Sequence, residues 1–253
     1  MTTDLAISIV SHGQISLVQT LLADLAQNVS TSLRVILTLN LPEDFDEFPA
    51  NATYPFEIFV IRNSAPKGFG ANHNAASKHV STGLFCVMNP DIRLQSDPFP
   101  ALIEILTNPK IAVAAPSVTD IHLNAEDHAR DYPTALSLAS KILGNKPHVK
   151  APPGNSVFFP DWIAGMFMLF HIDSFRSVGD FDERYFLYYE DVDICVRLRE
   201  RGFQVAVCPA VTVIHDARRE SRRNLRYAFW HLRSSFRFLL SNPRIALGLR
   251  KRR

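Results

Sequence analysis

Short apolar runs alternate with stretches of helical periodicity along most of the chain. Leu5-Ala6-Ile7-Ser8-Ile9-Val10 is almost continuously apolar, as a strand covered on both faces requires. Ser11-His12-Gly13-Gln14 reads as a turn into a helix whose apolar positions Leu17, Leu21, Leu22 and Leu25 recur at three- and four-residue spacing. The pattern predicts strands over Leu33–Leu39, Phe56–Ile61, Gly83–Met88 and Ile111–Ala115, with helices over Gly68–Val80 and Phe99–Leu106. Such alternation implies right-handed βαβ units, a parallel sheet and helices on both of its faces. Ligands of such sheets bind beyond the carboxyl ends of the strands.

Between Thr119 and Phe159 the pattern weakens, and only Ala135–Leu143 looks helical. A connection this long reads as an excursion over the site. Beyond it come the apolar run Trp162–Phe170, a helix from about Glu190 to Arg201, a strand over Gln204–Val207 and the strand-like Val211-Thr212-Val213-Ile214. A last helix is expected from about Ser221 to Leu240, halted by Asn242-Pro243.

With 253 residues, 47% hydrophobic and 21% charged, the chain has the composition of a globular protein and excludes a disordered or collagen-like one. No apolar run reaches the ~18 residues of a membrane-spanning helix. Met1-Thr2-Thr3-Asp4 lacks the basic start and apolar stretch of a signal peptide, and three scattered cysteines make neither a disulfide framework nor a zinc site. The expected compartment is the cytoplasm.

The formal net charge of +2 conceals an asymmetry. Residues 217–253 contain eleven Arg and one Lys against one Glu, a net +11, which leaves −9 on residues 1–216. A basic tail on an acidic body suggests contact with an anionic surface.

Four clusters could carry chemistry. Lys67-Gly68-Phe69-Gly70-Ala71-Asn72-His73-Asn74 places glycines before a helix, where backbone can approach a phosphate, although it matches neither the dinucleotide fingerprint nor the P-loop. Taken alone it reads better as a strand-to-helix turn with Asn72 and Asn74 as capping groups. Asn89-Pro90-Asp91 puts a carboxylate at the end of an apolar strand, suited to Mg²⁺ or Mn²⁺, though the same residues favour a plain turn. Tyr188-Tyr189-Glu190-Asp191 opens a helix; its carboxylates suit the helix dipole, and apolar surroundings would raise a carboxyl pKa towards that of a general base. His215 ends a strand-like run.

Taken together in this order, the clusters resemble the family 2 glycosyltransferases, and within them the bacterial rhamnosyltransferase-like group. The resemblance runs from the first strand to His215 and includes Trp162-Ile163-Ala164-Gly165, which matches an acceptor-side Trp-x-x-Gly segment. It implies an α/β GT-A fold, a mostly parallel sheet with helices on both faces, over residues 1–216, followed by a basic amphipathic helical tail over 217–253. It also implies a nucleoside-diphosphate-sugar donor, here dTDP-rhamnose, with inversion at the anomeric carbon, and a cell-surface polysaccharide or lipid-linked glycan acceptor. Ser11, Gly13, Asn40, Lys67, Gly68, Phe69, Asn72, Asn89 and Asp91 would bind the donor. Asp91 and His215 would hold Mg²⁺ or Mn²⁺. Trp162 and Gly165 would face the acceptor, and Asp191, with Glu190 beside it, would be the catalytic base.

Three positions depart from the family pattern: Asn40 stands for an Asp at the end of the second strand, Pro66 for an Asn, and Asn89 for the first Asp of Asp-x-Asp. They leave the donor's identity open. They also keep in view a non-catalytic nucleotide-sugar-binding scaffold of a polysaccharide assembly complex, against which the retention of Asp91, Asp191 and His215 argues. In the tail, Leu225, Phe229, Leu232, Phe236 and Leu240 recur at helical spacing with arginines beside or opposite them. That pattern predicts a helix lying on an anionic membrane, on the cytoplasmic face of the plasma membrane. The alternative is that Phe229, Trp230 and Phe236 pack on the body. The acidic body argues against a nucleic-acid partner.

Overall fold

A computed structural model describes residues 5–43, 54–81, 83–142, 154–216 and 225–249. In chain order the elements are β1 (Leu5–Ser11), α1 (Ile15–Asn28), β2 (Leu33–Leu39), β3 (Glu57–Arg62), α2 (Phe69–Ser77), β4 (Leu84–Met88), β5 (Ile92–Arg93), α3 (Phe99–Leu106) and β6 (Ile111–Thr119). There follow β7 (Ala129–Arg130), α4 (Ala135–Ile142), β8 (Trp162–Ile163), β9 (Phe167–His171), α5 (Ile172–Ser177), α6 (Glu190–Glu200), β10 (Gln204–His215), α7 (Leu225–Ser241) and α8 (Pro243–Ala246).

Eight strands form one sheet in the order β3-β2-β1-β4-β9-β6-β10-β5. Strands β1 to β4 are mutually parallel where they pair, as the alternating pattern requires. The sheet is mostly parallel, as expected, and two strands depart from that direction. β9 runs antiparallel between β4 and β6, and β5 runs antiparallel along the end of β10. The apolar run Trp162–Phe170 hides this reversal, because Gly165 divides it into β8, which pairs with β7 in a separate ribbon, and β9.

Side chains alternate across the sheet, as the period of two demands. In β4, Phe85 and Val87 join a core with Phe170, Phe175, Phe181, Tyr189, Cys195 and Phe238, while Leu84, Cys86 and Met88 join Leu21, Leu22, Phe99 and Leu169 on the other face. The chain fills β2 and β3 on one side of β1 before returning to β4 on the other. The loops after β1, β2 and β4 therefore diverge at a switch point, where open α/β sheets bind ligands.

Helix α7 packs through Phe238, which is fully buried, and through Ser234 and Ser235. Its opposite side is bare: Phe229, Leu232, Phe236 and Leu240 are 61%, 68%, 63% and 66% exposed. The expected apolar stripe is thus on the outside, while Trp230 alone of the three candidate packing rings turns inward, 4.8 Å from Phe186. Residues 217–224 and 250–253, with most of the tail's arginines, lie outside the described residues, as does the side chain of Leu225.

Candidate active site

A cleft of about 550 Å³ opens at the switch point, lined by residues from β1 to α2 on one side, Met88, Asn89, Pro90 and Asp91 at its base, and Phe186, Leu187 and the start of α7 opposite. Of the residues expected to bind the donor, Asn40, Lys67, Phe69, Asn72, Asn89 and Asp91 line it. Ser11, Gly13 and Gly68 do not.

The wall formed between β1 and α2 is a polar network. Asn40 Oδ1 accepts the Lys67 N–H at 2.8 Å and its Nδ2 donates to the Lys67 carbonyl at 2.9 Å, so one amide clamps both backbone groups of Lys67. Asn63 Nδ2 donates to Asn40 Oδ1 at 2.9 Å and to Asn72 Oδ1 at 2.7 Å. An Asp at position 40 would have no N–H for the Lys67 carbonyl, which gives the Asn here a physical reason. Ser11 Oγ and the Gly13 N–H both donate to Glu43, at 2.8 and 2.9 Å. Those two residues shape the loop, and Gly13 adopts a φ of +75° that favours glycine.

The glycines of the Lys67–Asn74 segment serve packing. A Cβ at Gly68 would fall 2.6 Å from the Phe186 carbonyl oxygen, and one at Gly70 would fall 2.7 Å from Phe181 Cβ. Asn74 completes the joint: its Oδ1 accepts the Phe181 N–H at 3.0 Å and its Nδ2 donates to the Phe181 carbonyl at 2.9 Å. His73 is buried beside Ser8 Oγ at 2.8 Å, and burial lowers its pKa to about 3, so it is neutral.

Asp91 and His215 are distant in sequence but adjacent in space. The register that pairs Ile92 with His215 and Arg93 with Ile214 sets the end of β10 beside the turn after β4. Asp91 Oδ2 lies 3.3 Å from His215 Nε2, while Asp91 Oδ1 is buried with no hydrogen-bond partner. On the far side of the ring, Nδ1 meets Glu126 Oε2 at 2.8 Å. Burial opposes a charged imidazole, but the hydrogen bonds and charges of Asp91 and Glu126 outweigh it and raise the pKa to about 9. Glu126 comes from the weakly patterned segment after Thr119, and nothing in its local sequence marks it. Carboxylates behind a ligating histidine fix its ring in this way. Among the described residues no group of three or more His, Cys, Asp or Glu side chains is arranged to hold a metal ion.

The opposite wall is a strap from Tyr185 to Tyr189 that leads into α6. Tyr188 and Tyr189 both take left-handed backbone angles, with φ of +69° and +71°. For residues with a Cβ this is a strained conformation that surrounding packing must enforce. The enforcing contacts come from α7: His231 lies 5.4 Å from Tyr188 and 5.5 Å from Tyr189, Phe238 lies 5.5 Å from Tyr189, and Ser234 Oγ donates to the Leu187 carbonyl at 2.9 Å.

Glu190 and Asp191 open α6 directly after these two tyrosines, and as consecutive helical residues they point about 100° apart. Glu190 is buried near Gly70; its Oε2 has no partner, and burial with the charge of Asp191 pushes its pKa well above the usual carboxyl range. Asp191 is half-buried. Its Oδ2 accepts the Gly165 N–H at 3.0 Å and its Oδ1 accepts its neighbour Val192 N–H at 2.8 Å. Burial raises its pKa; these two bonds and the charge of Arg130 lower it, and the net shift is upward. Gly165 packs closely here: a Cβ would sit 3.1 Å from the Phe69 ring, which would have to shift by a few tenths of an ångström to admit it. Asp191 therefore lies behind the ring that lines the cleft. Trp162 is buried in β8, its Nε1 donating to the Asp131 carbonyl at 3.0 Å under the guanidinium of Arg130.

The pattern of the family described as Glycosyltransferase like family 2 matches residues 16–233, most of the chain. The chain belongs to the family 2 glycosyltransferases. The rhamnosyltransferase WbbL of Escherichia coli K12 is 33% identical to this transferase over 184 residues, 68% of this chain and 70% of WbbL. The N-acetylglucosaminyl-diphospho-decaprenol L-rhamnosyltransferase of Mycobacterium tuberculosis H37Rv is 25% identical over 267 residues, covering 94% of this chain and 85% of that one. Solved structures share the GT-A fold. GalNAc-T7 with UDP, GalNAc and Mn²⁺ superposes on 86% of the transferase with a TM-score of 0.70 at 13% identity, and the mannosyltransferase PcManGT of Pyrobaculum calidifontis with GDP-Man and Mn²⁺ on 87% with 0.60 at 10%. The transferase spans 44% and 59% of those two chains. The family match extends through the first part of α7, which agrees with that helix forming a wall of the cleft.

Proposed function

We propose that the transferase is an inverting enzyme that moves rhamnose from dTDP-rhamnose to a hydroxyl of a lipid-linked or cell-surface glycan. The observation that carries the reading is the pairing of Asp91 with His215 at the cleft, with Asp91 Oδ1 buried and unpartnered. One carboxylate and one imidazole suit a hard divalent cation that draws its remaining ligands from a diphosphate and water. When bound there, Mg²⁺ or Mn²⁺ supplies neutralisation of the charge that grows on the leaving diphosphate.

The chain's own groups then have distinct tasks. The Asn40 clamp fixes the Lys67 backbone so that its ammonium starts from a defined point on the cleft wall. Glu126 holds the His215 ring. Asp191, with its raised pKa and partial exposure, takes the proton of the acceptor hydroxyl as that oxygen bonds to the anomeric carbon and the carbon's bond to the diphosphate breaks. Glu190, buried and protonated, is positioned to support the turn. The rhamnosyl donor is supported by the names of the two relatives above.

The exposed stripe of α7, with the tail's net +11, supports peripheral attachment to an anionic cytoplasmic membrane surface. Each cation near such a surface contributes about 1 kcal/mol. Because Phe238 is buried, the clean test is Leu232→Ser with Phe236→Ser rather than removal of the helix. Weaker, salt-sensitive binding to phosphatidylglycerol vesicles is expected, and unchanged binding contradicts attachment. For the reaction, the test is release of free nucleoside diphosphate from dTDP-rhamnose, UDP-sugars and GDP-sugars with Mn²⁺. Release abolished by chelation and by Asp91→Ala is expected, whereas donor binding without release from any of them supports the scaffold reading.

A further inference from the structure

The cleft is chemically divided. Asn40, Lys67, Asn72, Asn89 and Asp91 line it with polar groups, whereas Phe186, Tyr227 and Trp230 line it with rings from the strap and from α7. Trp230 lies 4.8 Å from Phe186 at a tilt of 36°, and Tyr227 meets the Trp230 ring edge-on at 5.4 Å. Phe186 is the most open of the three, 37% exposed, while Tyr227 and Trp230 are half-buried and Arg226 lies over the Trp230 ring.

We propose that Phe186, with Trp230 and Tyr227 behind it, is a platform for a pyranose ring of the acceptor; this rests on the reading of the cleft as the site of sugar transfer. Three observations support it. The platform is preformed: the Phe186 carbonyl accepts the Phe69 N–H at 2.9 Å, a Cβ at Gly68 would fall 2.9 Å from Phe186 Cα, and Trp230 packs on the ring. Backbone and ring are thus held from two sides, by the start of α2 and by α7. The platform also adjoins the group assigned to the acceptor's proton. Phe69 follows Gly68 beside Phe186, its ring packs against Gly165, and the Gly165 N–H donates to Asp191 at 3.0 Å. Finally, the amides of Asn40 and Asn72, with Lys67, lie on the wall from β1 to α2, and Asp91 lies at the base of the cleft. A nucleotide therefore has its polar partners away from the rings.

A pyranose presents a face of C–H groups with a slight positive charge and a rim of hydroxyls. The C–H face suits the negative face of an aromatic ring, and a phenol and an indole N–H can serve the rim. Small-molecule sites commonly combine rings with a few polar groups in this way. One such ring contact accounts for about a threefold to tenfold change in affinity. Leucine at position 186 keeps an apolar side chain and removes the π face, and tyrosine restores that face.

The chain has two tryptophans, Trp230 in the platform and Trp162 buried in β8, so indole fluorescence reports on the platform. The test titrates the full chain, with dTDP and Mn²⁺ present, with the methyl pyranosides of glucose, galactose, mannose, rhamnose and N-acetylglucosamine. Calorimetry measures dTDP affinity in parallel, for the wild type, Phe186→Leu and Phe186→Tyr. The expected result is a fluorescence response to at least one pyranoside, about threefold or more weaker affinity for it in Phe186→Leu, and recovery to within about twofold in Phe186→Tyr. The affinity for dTDP should stay within about twofold throughout. Unchanged pyranoside affinity in Phe186→Leu overturns the platform, as does a wild type that binds dTDP and no pyranoside. A fall in dTDP affinity matching that for the pyranoside assigns the rings to the nucleotide and overturns it too. Ring-dependent pyranoside binding by a chain that binds no nucleoside diphosphate supports the platform and overturns the donor reading instead.

Discussion

The two walls of the cleft are stabilised in opposite ways. On the wall between β1 and α2, the amides of Asn40, Asn63 and Asn72 bond to one another and to the Lys67 backbone, within a stretch of 33 residues that ends at Asn72. On the opposite wall, the strap carries two left-handed tyrosines and leads to the buried Glu190 with a carboxyl oxygen without a partner, and its restraint comes from α7, about 45 residues further along the chain. One wall is organised by its own hydrogen bonds. The other is held in a costly shape by remote packing, and it leads directly into the helix that carries Glu190 and Asp191.

The comparison breaks most directly at Phe238. Phe238→Ala should cost about 3–5 kcal/mol in chemical denaturation, as large-to-small changes in a packed core do, and should depress transfer more than donor binding. A variant with normal transfer would show that the strap holds itself.

The walls should also respond to pH with opposite signs. His73, neutral and buried with a pKa lowered to about 3, is protonated first in the unfolded chain, so its contribution is complete above about 6.5 and is lost as pH falls towards 3. Glu190, with its pKa raised, keeps its proton in the folded chain; its contribution is present in acid and falls as pH rises above about 4.5, where the unfolded carboxyl ionises. Stability profiles of His73→Gln and Glu190→Gln should each flatten on the corresponding limb; identical profiles would remove the distinction.

Smaller effects are expected where the walls touch. Gly68→Ala forces a Cβ against the Phe186 carbonyl and should cost about 1–3 kcal/mol, measured by thermal unfolding. Asn40→Asp restores the family's residue yet deprives the Lys67 carbonyl of its donor; a loss of about 1–2 kcal/mol with weakened donor affinity is expected. A gain in donor affinity would mean that position 40 acts on the nucleoside directly.

The wall between β1 and α2 was largely legible in sequence as a cleft lining because it follows the alternation of strands and helices, and ligand loops fall at the carboxyl ends of strands. Asp91 and His215 were legible as types and in order. Their contact was not, because it depends on the two-residue strand Ile92–Arg93, too short to leave a periodic signal. Glycines at 68, 70 and 165 read as phosphate-approach or acceptor signals, whereas each admits a neighbouring side chain or carbonyl. Glu126 was invisible because it acts through a histidine 89 residues away. The apolar stripe of α7 was predicted from its spacing, with packing of Phe229, Trp230 and Phe236 as the alternative; that Trp230 packs while the other two stay exposed was not legible, since helical periodicity tells which residues share a face and not what that face meets.

The central claim is that Asp191 accepts the acceptor proton in a site whose donor half is built independently. The most direct measurement compares donor binding and sugar transfer in Asp191→Asn. Donor affinity within threefold of wild type, with transfer reduced by about 10²- to 10⁴-fold, is the predicted result. Near-normal transfer by a variant that still binds donor would contradict it.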